Sequence, residues 1–320
     1  MALELRIWEF GSDDSKIDSW LTSASLAHKI PKKSEEWFHW KFEQSPYGKA
    51  ILACAFDGDT VVGCLSMGRG MMTYNKRIFP CALSYETFVH PAYQGKGLFK
   101  KLVAILEQEC KKQRSELFYN FPNNNSIRGY EHMGFTQIPL TEFRIHIVNP
   151  FRCLIHFKDI RKSFVSDASN LDEIKDIEPI KLPDVYADGV FVPQWNSDYI
   201  KWRFLTFQMG HYWIYNQNGI FAIFRTGRRG QLKQAELLHI AAENGALTQK
   251  QWKEVERRLI KATKPDIVAV AASKDYPVYP FLKWYITVPD RSHFTYKLLS
   301  DKLTPSTFRM AKCGIDAHTY

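Results

Sequence analysis

The chain has few of the residues that mark metal or redox sites. Its six cysteines include no CxxC pair and form no cysteine and histidine array at metal-ligand spacing. Cys54, Cys64, Cys81, Cys110, Cys153 and Cys313 fall mostly inside apolar stretches and read as buried free thiols, with no metal expected. No run approaches the roughly 18 apolar residues of a membrane span, and charges break up the first twenty residues, MALELRIWEFGSDDSKIDSW. The expected home is therefore a reducing cytoplasm. No Ser-His-Asp order suggests serine hydrolase chemistry. Acidic residues are outnumbered, 34 Asp and Glu against 43 Lys and Arg, so the net charge of +9 suits an anionic partner. That partner need not be a polymer, and without zinc-finger or helix-turn-helix spacing nucleic acid is not the expected one.

What is present describes a globular chain: 45% hydrophobic and 24% charged residues over a length of 320 suffice for one large or two ordinary domains. Leu3–Trp8 reads as a strand, and the residues from Ser34 to Phe42 as helical turns. A hairpin follows, Ala50–Phe56 and Val61–Leu65 around Asp57-Gly58. Residues 71–89 supply a further strand pair turning at Asn75-Lys76. Then come a helix from Leu98, a strand at Leu117–Phe121, a helix at Ser126–Met133 and one long strand at Thr136–Val148. This order predicts an α/β layer arrangement with a mixed sheet.

One stretch organises the rest. The strand Ala82–Val89 (ALSYETFV) is stopped by Pro91 and runs through Gln94-Gly95-Lys96-Gly97 into a helix carrying Leu98, Leu102, Ile105 and Leu106 at helical spacing. Glycines there let the backbone approach a ligand closely, and the free N–H groups of a first helical turn converge on an anion. A surface turn with solvated lysines is the plainer alternative. The stretch Val89-His-Pro-Ala-Tyr-Gln-Gly-Lys-Gly97 nevertheless resembles the acyl-CoA loop of the GNAT superfamily of N-acyltransferases: Gln or Arg, two residues, Gly, one residue, then Gly or Ala. Gln94 and Gly97 match, whereas Phe99 stands where Gly or Ala is commonest. A second stretch, Asn123-Asn-Asn-Ser126-Ile-Arg-Gly-Tyr130-Glu-His-Met-Gly134-Phe135, is similar to that superfamily's other signature. The resemblance covers residues 35–147.

The second half echoes the first. Asp198-Tyr-Ile-Lys-Trp202-Arg-Phe204 repeats Glu36-Trp-Phe-His-Trp40-Lys-Phe42, and each precedes a hairpin, the second being Tyr212–Phe224 around Asn218-Gly219. Further on, Tyr279-Pro-Phe-Leu-Lys-Trp284 aligns with Tyr130–Phe135. Between them lie a strand, Ala235–Ile240, and an amphipathic helix, Leu247–Lys261, with Thr248 as its cap. The segment Ala241-Ala-Glu-Asn-Gly245 has no phosphate-cradling glycine spacing. Chance matching in a Trp-rich chain is the competing explanation. The expected division is a catalytic GNAT domain at residues 1–150, a connecting segment at 151–181, and a degenerate GNAT-like domain at 182–320 that shapes the acceptor site.

The resemblance implies an acetyl-CoA-dependent N-acetyltransferase acting on the amine of a small acceptor. Chains of this layout resemble bacterial acyltransferases of surface-polysaccharide synthesis, which implies an amino sugar carried on a nucleotide. Aminoglycoside or polyamine acetylation, and a non-catalytic acyl-CoA-binding sensor, are the alternatives. By the same resemblance Phe88 and Val89 offer main-chain groups to the pantetheine arm and thioester. Gln94, Gly95, Lys96, Gly97, Leu98 and Phe99 cover the pyrophosphate, and Asn123 and Ser126 bond the coenzyme. Tyr130 takes the place of the general acid, with a core tyrosine as its alternative reading. For the general base Glu86 is the one carboxylate on its strand, and a bulge there decides which way it faces. His90 and the carboxylate of Tyr320 are further options.

Overall fold

Local signals become elements largely where the residues place them. The computed structural model describes residues 3–124, 126–179, 188–207, 209–289 and 293–314; Tyr320 lies outside them. The order is β1 (Glu4–Ile7), α1 (Ile17–His28), α2 (Glu35–Glu43), β2 (Ile51–Asp57), β3 (Thr60–Tyr74), β4 (Arg77–Val89), α3 (Leu98–Lys112), β5 (Leu117–Asn120), α4 (Ile127–His132) and β6 (Thr136–Ile138). It continues with β7 (Glu142–Ile147), α5 (Pro150–Ile155), β8 (Phe164–Ser166), α6 (Leu171–Ile174), β9 (Val192–Pro193) and α7 (Ser197–Ile200). The last elements are β10 (His211–Gln217), β11 (Ile220–Arg229), β12 (Leu232–Ala242), α8 (Gln249–Thr263), β13 (Ile267–Ala272), β14 (Ile286–Val288) and β15 (Phe294–Leu298).

Two sheets result. The first runs β1-β2-β3-β4-β5-β15-β6, with β9 added on β3; the second runs β10-β11-β12-β13-β7-β14, with β8 added on β11. The single strand expected at Thr136–Val148 is therefore two strands in different sheets. Pro139 lacks an N–H to continue the ladder, and the chain crosses over after Ile138. In return β15 inserts between β5 and β6, antiparallel to both. The corresponding place in the second sheet, between β13 and β14, is filled by β7. Sheet membership thus crosses residue 150 in both directions. The stretch 151–181 is also more than a connection, since β8 pairs with β11.

Aromatic packing joins the halves at the repeated Trp motifs. The Trp40 Nε1–H donates to the carbonyl of Trp202, and the Trp202 Nε1–H donates to the carbonyl of Trp40, each at 2.9 Å. The two rings stack at 5.4 Å between centroids, and Trp40 stacks on Phe207 as well. Tyr279-Pro-Phe281 forms only a single 3-10 turn where Tyr130 sits on a helix. Trp40 is 2% exposed. Trp40→Ala removes the indole bond to the Trp202 carbonyl and opens a cavity between the halves, so urea denaturation should show a loss of about 3–5 kcal/mol. A loss below about 1 kcal/mol would mean that the surrounding side chains collapse into the space.

Candidate functional site

The site begins where two parallel strands part. β4 and β5 pair from Cys81 with Leu117 to Ser84 with Asn120 and no further. Immediately beyond, β4 is interrupted on its other side: its register with β3 slips between Cys64 and Ser66, and Glu86 takes φ +48°. A left-handed glutamate costs of order 1–3 kcal/mol and persists only where its surroundings hold it. Here the buried Ser66 hydroxyl donates to the carbonyl of Tyr85 and lies 3.4 Å from that of Glu86, while Lys41 Nζ reaches Glu86 Oε1 at 3.0 Å. The bulge therefore puts Glu86 on the wall of a cleft of about 420 Å³. His28, Lys33, Ser84, Asn123, Ser126 and Tyr130 also line this cleft.

Lys41 belongs to the Trp-Lys-Phe motif, but sequence alone did not assign it a role. Its side chain is 5% exposed and lies over the rings of Trp37 and Tyr85. Burial pulls its pKa down from 10.5 to about 8, against the attraction of Glu86 and with the help of nearby Arg203 from the second half. Glu86 is therefore not a lone carboxylate but half of a buried ion pair.

Tyr130 is buried on α4, with its phenol oxygen 3.3 Å from the hydroxyl of Ser84. Burial raises its pKa above the ordinary 10, against smaller opposing contributions from Ser84, Thr87 and Asn120. The phenol thus stays protonated at neutral pH, the form that can donate. Asn120 is itself oriented from the exchanged strand: the Thr295 hydroxyl of β15 donates to its Oδ1, while its buried amide nitrogen has no partner at hydrogen-bond geometry among the described residues.

The glycine loop lies at the head of α3. Gly95 and Gly97 have φ of +75° and +70°, and Gly97 caps the helix in the left-handed conformation that a side chain would strain. A Cβ built on either meets nothing within 4 Å, so the space over this turn is open. Lys96 extends over the Tyr93 ring, and Leu98 is buried beneath the loop. Gln94 donates its side-chain amide to the carbonyl of Val89 at 3.0 Å and so ties the loop to the end of β4. Phe99 departs from the signature, but Gly129 makes room for it: a Cβ at 129 would lie 2.7 Å from the Phe99 ring, which meets Tyr130 edge-on. Asn123 accepts from the Ser126 amide and hydroxyl through Oδ1, shaping the turn into α4.

Of the residues singled out in the sequence, Glu86, Asn123, Ser126 and Tyr130 meet in the cleft. The 94–99 loop adjoins it through Phe99. Phe88 pairs with Cys64, and its side chain is buried against Trp20. Val89 pairs with Gly63, and His90 accepts from the Ala92 amide as a turn residue. Among the described residues no group of three His, Cys, Asp or Glu could hold a metal, and no helix is long and apolar enough to cross a membrane.

This arrangement is a GNAT acetyltransferase-like fold. Residues 12–138 match the family model described as Acetyltransferase (GNAT) domain. Similar solved structures include a GCN5-related N-acetyltransferase from Anabaena variabilis ATCC 29413, at 11% identity and TM-score 0.62, with 93% of this chain and 73% of that chain covered. Eis1 from Mycobacterium abscessus is similar at 10% identity and TM-score 0.58, covering 93% and 74%. A GCN5-related N-acetyltransferase from Kribbella flavida is similar at 12% identity and TM-score 0.57, covering 92% and 71%. No curated protein matches. At these identities the likeness is one of fold.

The ion pair gives the site a titration signature. Because Glu86 holds the Lys41 pKa up against burial, Glu86→Gln should lower it further. An NMR titration of the Lys41 side chain should show a midpoint about 8 in the parent and a lower one in the variant. An unmoved midpoint would mean that the two groups are not coupled.

Proposed function

We propose that the chain is an acetyl-CoA-dependent N-acetyltransferase with one active site, in the β4–β5 cleft, and that its acceptor is the amine of a small molecule such as an amino sugar. The observation that carries this reading is the meeting, where two parallel strands part, of a buried phenol and a bulge carboxylate beside an open glycine turn. The parted edges of β4 and β5 leave main-chain groups to pair with a pantetheine arm, and the amides at the head of α3 suit a pyrophosphate.

In this proposal the amine nitrogen attacks the thioester carbon, its proton leaves toward Glu86, and the C–S bond breaks. The departing sulfur takes the proton of the Tyr130 phenol. Free thiols have a pKa of about 8.5, so a donor at hand lowers the cost of expelling sulfur at neutral pH. Ser84 holds the phenol in place, and the Lys41–Glu86 pair fixes the carboxylate.

The second half reads as a divergent copy of the first. In support, β12 and β13 are parallel and joined through α8, as β4 and β5 are through α3. The Trp40 and Trp202 bonds and the exchanged strands are reciprocal. In the copy, residues 310–314 run along the place of the corresponding crevice. The Ser273 amide donates to the Lys312 carbonyl, and the Lys312 amide to the Ser273 hydroxyl, each at 2.9 Å. Cys313 donates to the Leu237 carbonyl, and a Cβ on Gly314 would lie 2.7 Å from that oxygen.

Titration with coenzyme A should accordingly give a single site per chain, and Gly97→Val should abolish it by forcing a branched residue into φ +70°. Two sites, or undiminished binding in the variant, would overturn the assignment of the loop. Tyr130→Phe keeps the ring and removes only the donor. Its kcat should fall by a factor on the order of 10² to 10⁴ with coenzyme affinity nearly unchanged. Unaltered turnover across a panel of amino sugars, aminoglycosides and polyamines would mean that another group protonates the sulfur. Absence of turnover by the parent chain on every amine, with coenzyme still bound, would favour a sensor.

A further inference from the structure

The face of α5 and the turn that follows it is unlike the rest of the surface. Phe151, Leu154 and Ile155 stand at i, i+3 and i+4 and are 71%, 74% and 57% exposed; Phe157 in the next turn is 60% exposed. Four large apolar side chains on one short stretch form a contiguous patch of the kind that soluble surfaces rarely leave bare. The stretch is nevertheless firmly seated. Arg152 Nε pairs with the buried Asp266, Cys153 is buried, and the Asp159 carboxylate accepts from Lys162 and the Gln231 amide. The apolar side chains are thus displayed by a fixed scaffold.

The rim of the patch carries one sign of charge. Lys158 and Arg161 are exposed and have no acidic partner among the described residues, and Lys162 is exposed beside them. The two acidic groups nearby, Asp159 and Asp266, are buried and neutralised by Lys162 and Arg152. The turn that carries Trp284, closed by the Tyr285 amide on the Leu282 carbonyl, precedes β14, which pairs with β7, the strand that leads into α5. Trp284 is 88% exposed and follows an exposed lysine, Lys283. Bulky apolar side chains on one fixed stretch, flanked by unpaired cations, match the interface between hydrocarbon and anionic headgroups.

We infer that this face docks the protein peripherally on a membrane surface bearing anionic phospholipids, with Phe151, Leu154, Ile155 and Phe157 entering the acyl boundary and Lys158 and Arg161 meeting the phosphates. A second copy of the chain is the poorer occupant. A two-fold contact would set the cationic rim of one copy against the same rim of the other, where like charges repel. The face belongs to the second sheet and to elements outside the β4–β5 cleft, so this inference stands independently of the catalytic proposal.

The test is cosedimentation of the full chain with vesicles. Vesicles of phosphatidylcholine with about a third phosphatidylglycerol should carry the protein down, neutral phosphatidylcholine vesicles should not, and raising the salt should release it. Phe151→Ser with Leu154→Ser, and separately Lys158→Glu with Arg161→Glu, should each weaken binding by about tenfold or more. The thermal transition and circular dichroism of both variants should stay as in the parent, because the altered side chains are exposed. No sedimentation with anionic vesicles, or unchanged binding in both variants, would overturn the inference. So would a dimer in sedimentation equilibrium that the Phe151 and Leu154 changes dissociate while vesicle binding is absent.

Discussion

Two parallel strands that share a ladder over four residue pairs and then part are the constraint on which this structure depends. Once β4 and β5 diverge, their facing N–H and C=O groups have no ladder partner, and buried main-chain groups left that way are costly. A bound ligand can satisfy them, which is why a splayed pair is a natural binding place. Keeping the strands apart needs a device, and the left-handed Glu86 is that device. It is secured by Ser66 on one side and by Lys41 on the other. The same bulge that opens the crevice thereby aims a carboxylate into it.

The other wall is held from the far end of the chain. β5 has only β15 on its second edge, so the strand carrying Asn120 is closed by residues more than 170 positions away, with Thr295 opposite Asn120 in |i−j| = 175. The second sheet has the matching dependence on β7. Neither sheet is complete without a strand from the other half. A hydrophobic sheet edge left open would invite pairing with other chains, so the exchange favours cooperative closure of both halves over independent folding. It also means that damage near β15 reaches the cleft wall through Asn120.

How much of this was legible in the sequence follows the range of the forces involved. Asp57-Gly58 and Asn218-Gly219 set their hairpins because turn chemistry is local. Thr248 caps α8 with a full capping box, again within four residues. The glycine loop and the Asn123 to Phe135 stretch were readable because each packs its own pattern into one strand, turn and helix. Three features were not. Alternation in Thr136–Val148 says that a strand forms but not which sheet receives it, so the crossover after Ile138 had no signal beyond Pro139. Lys41 and Glu86 are 45 positions apart and pair only because α2 packs under the bulge. Phe99 looked like a defect in the loop because its compensation, Gly129, lies in another motif.

The asymmetry between the two halves follows from the same cost that opens the first crevice. In the second half β12 and β13 also pair over only four positions before they separate. A crevice of that kind with no ligand would leave main-chain groups buried without partners, at a penalty of about 1–3 kcal/mol for each. A chain that gave up its phosphate cradle at residues 241–245 would therefore be destabilised unless something replaced the coenzyme. On the duplication proposed above, residues 310–314 take that place, bonding Ser273 and Leu237 with their own backbone and thiol. Lys312, 1% exposed, then sets its ammonium over the Phe121 ring on the wall of the first cleft. On the duplication proposed above, the filling of one crevice is thus physically tied to the shape of the other, and the second half supports the site by having lost its own.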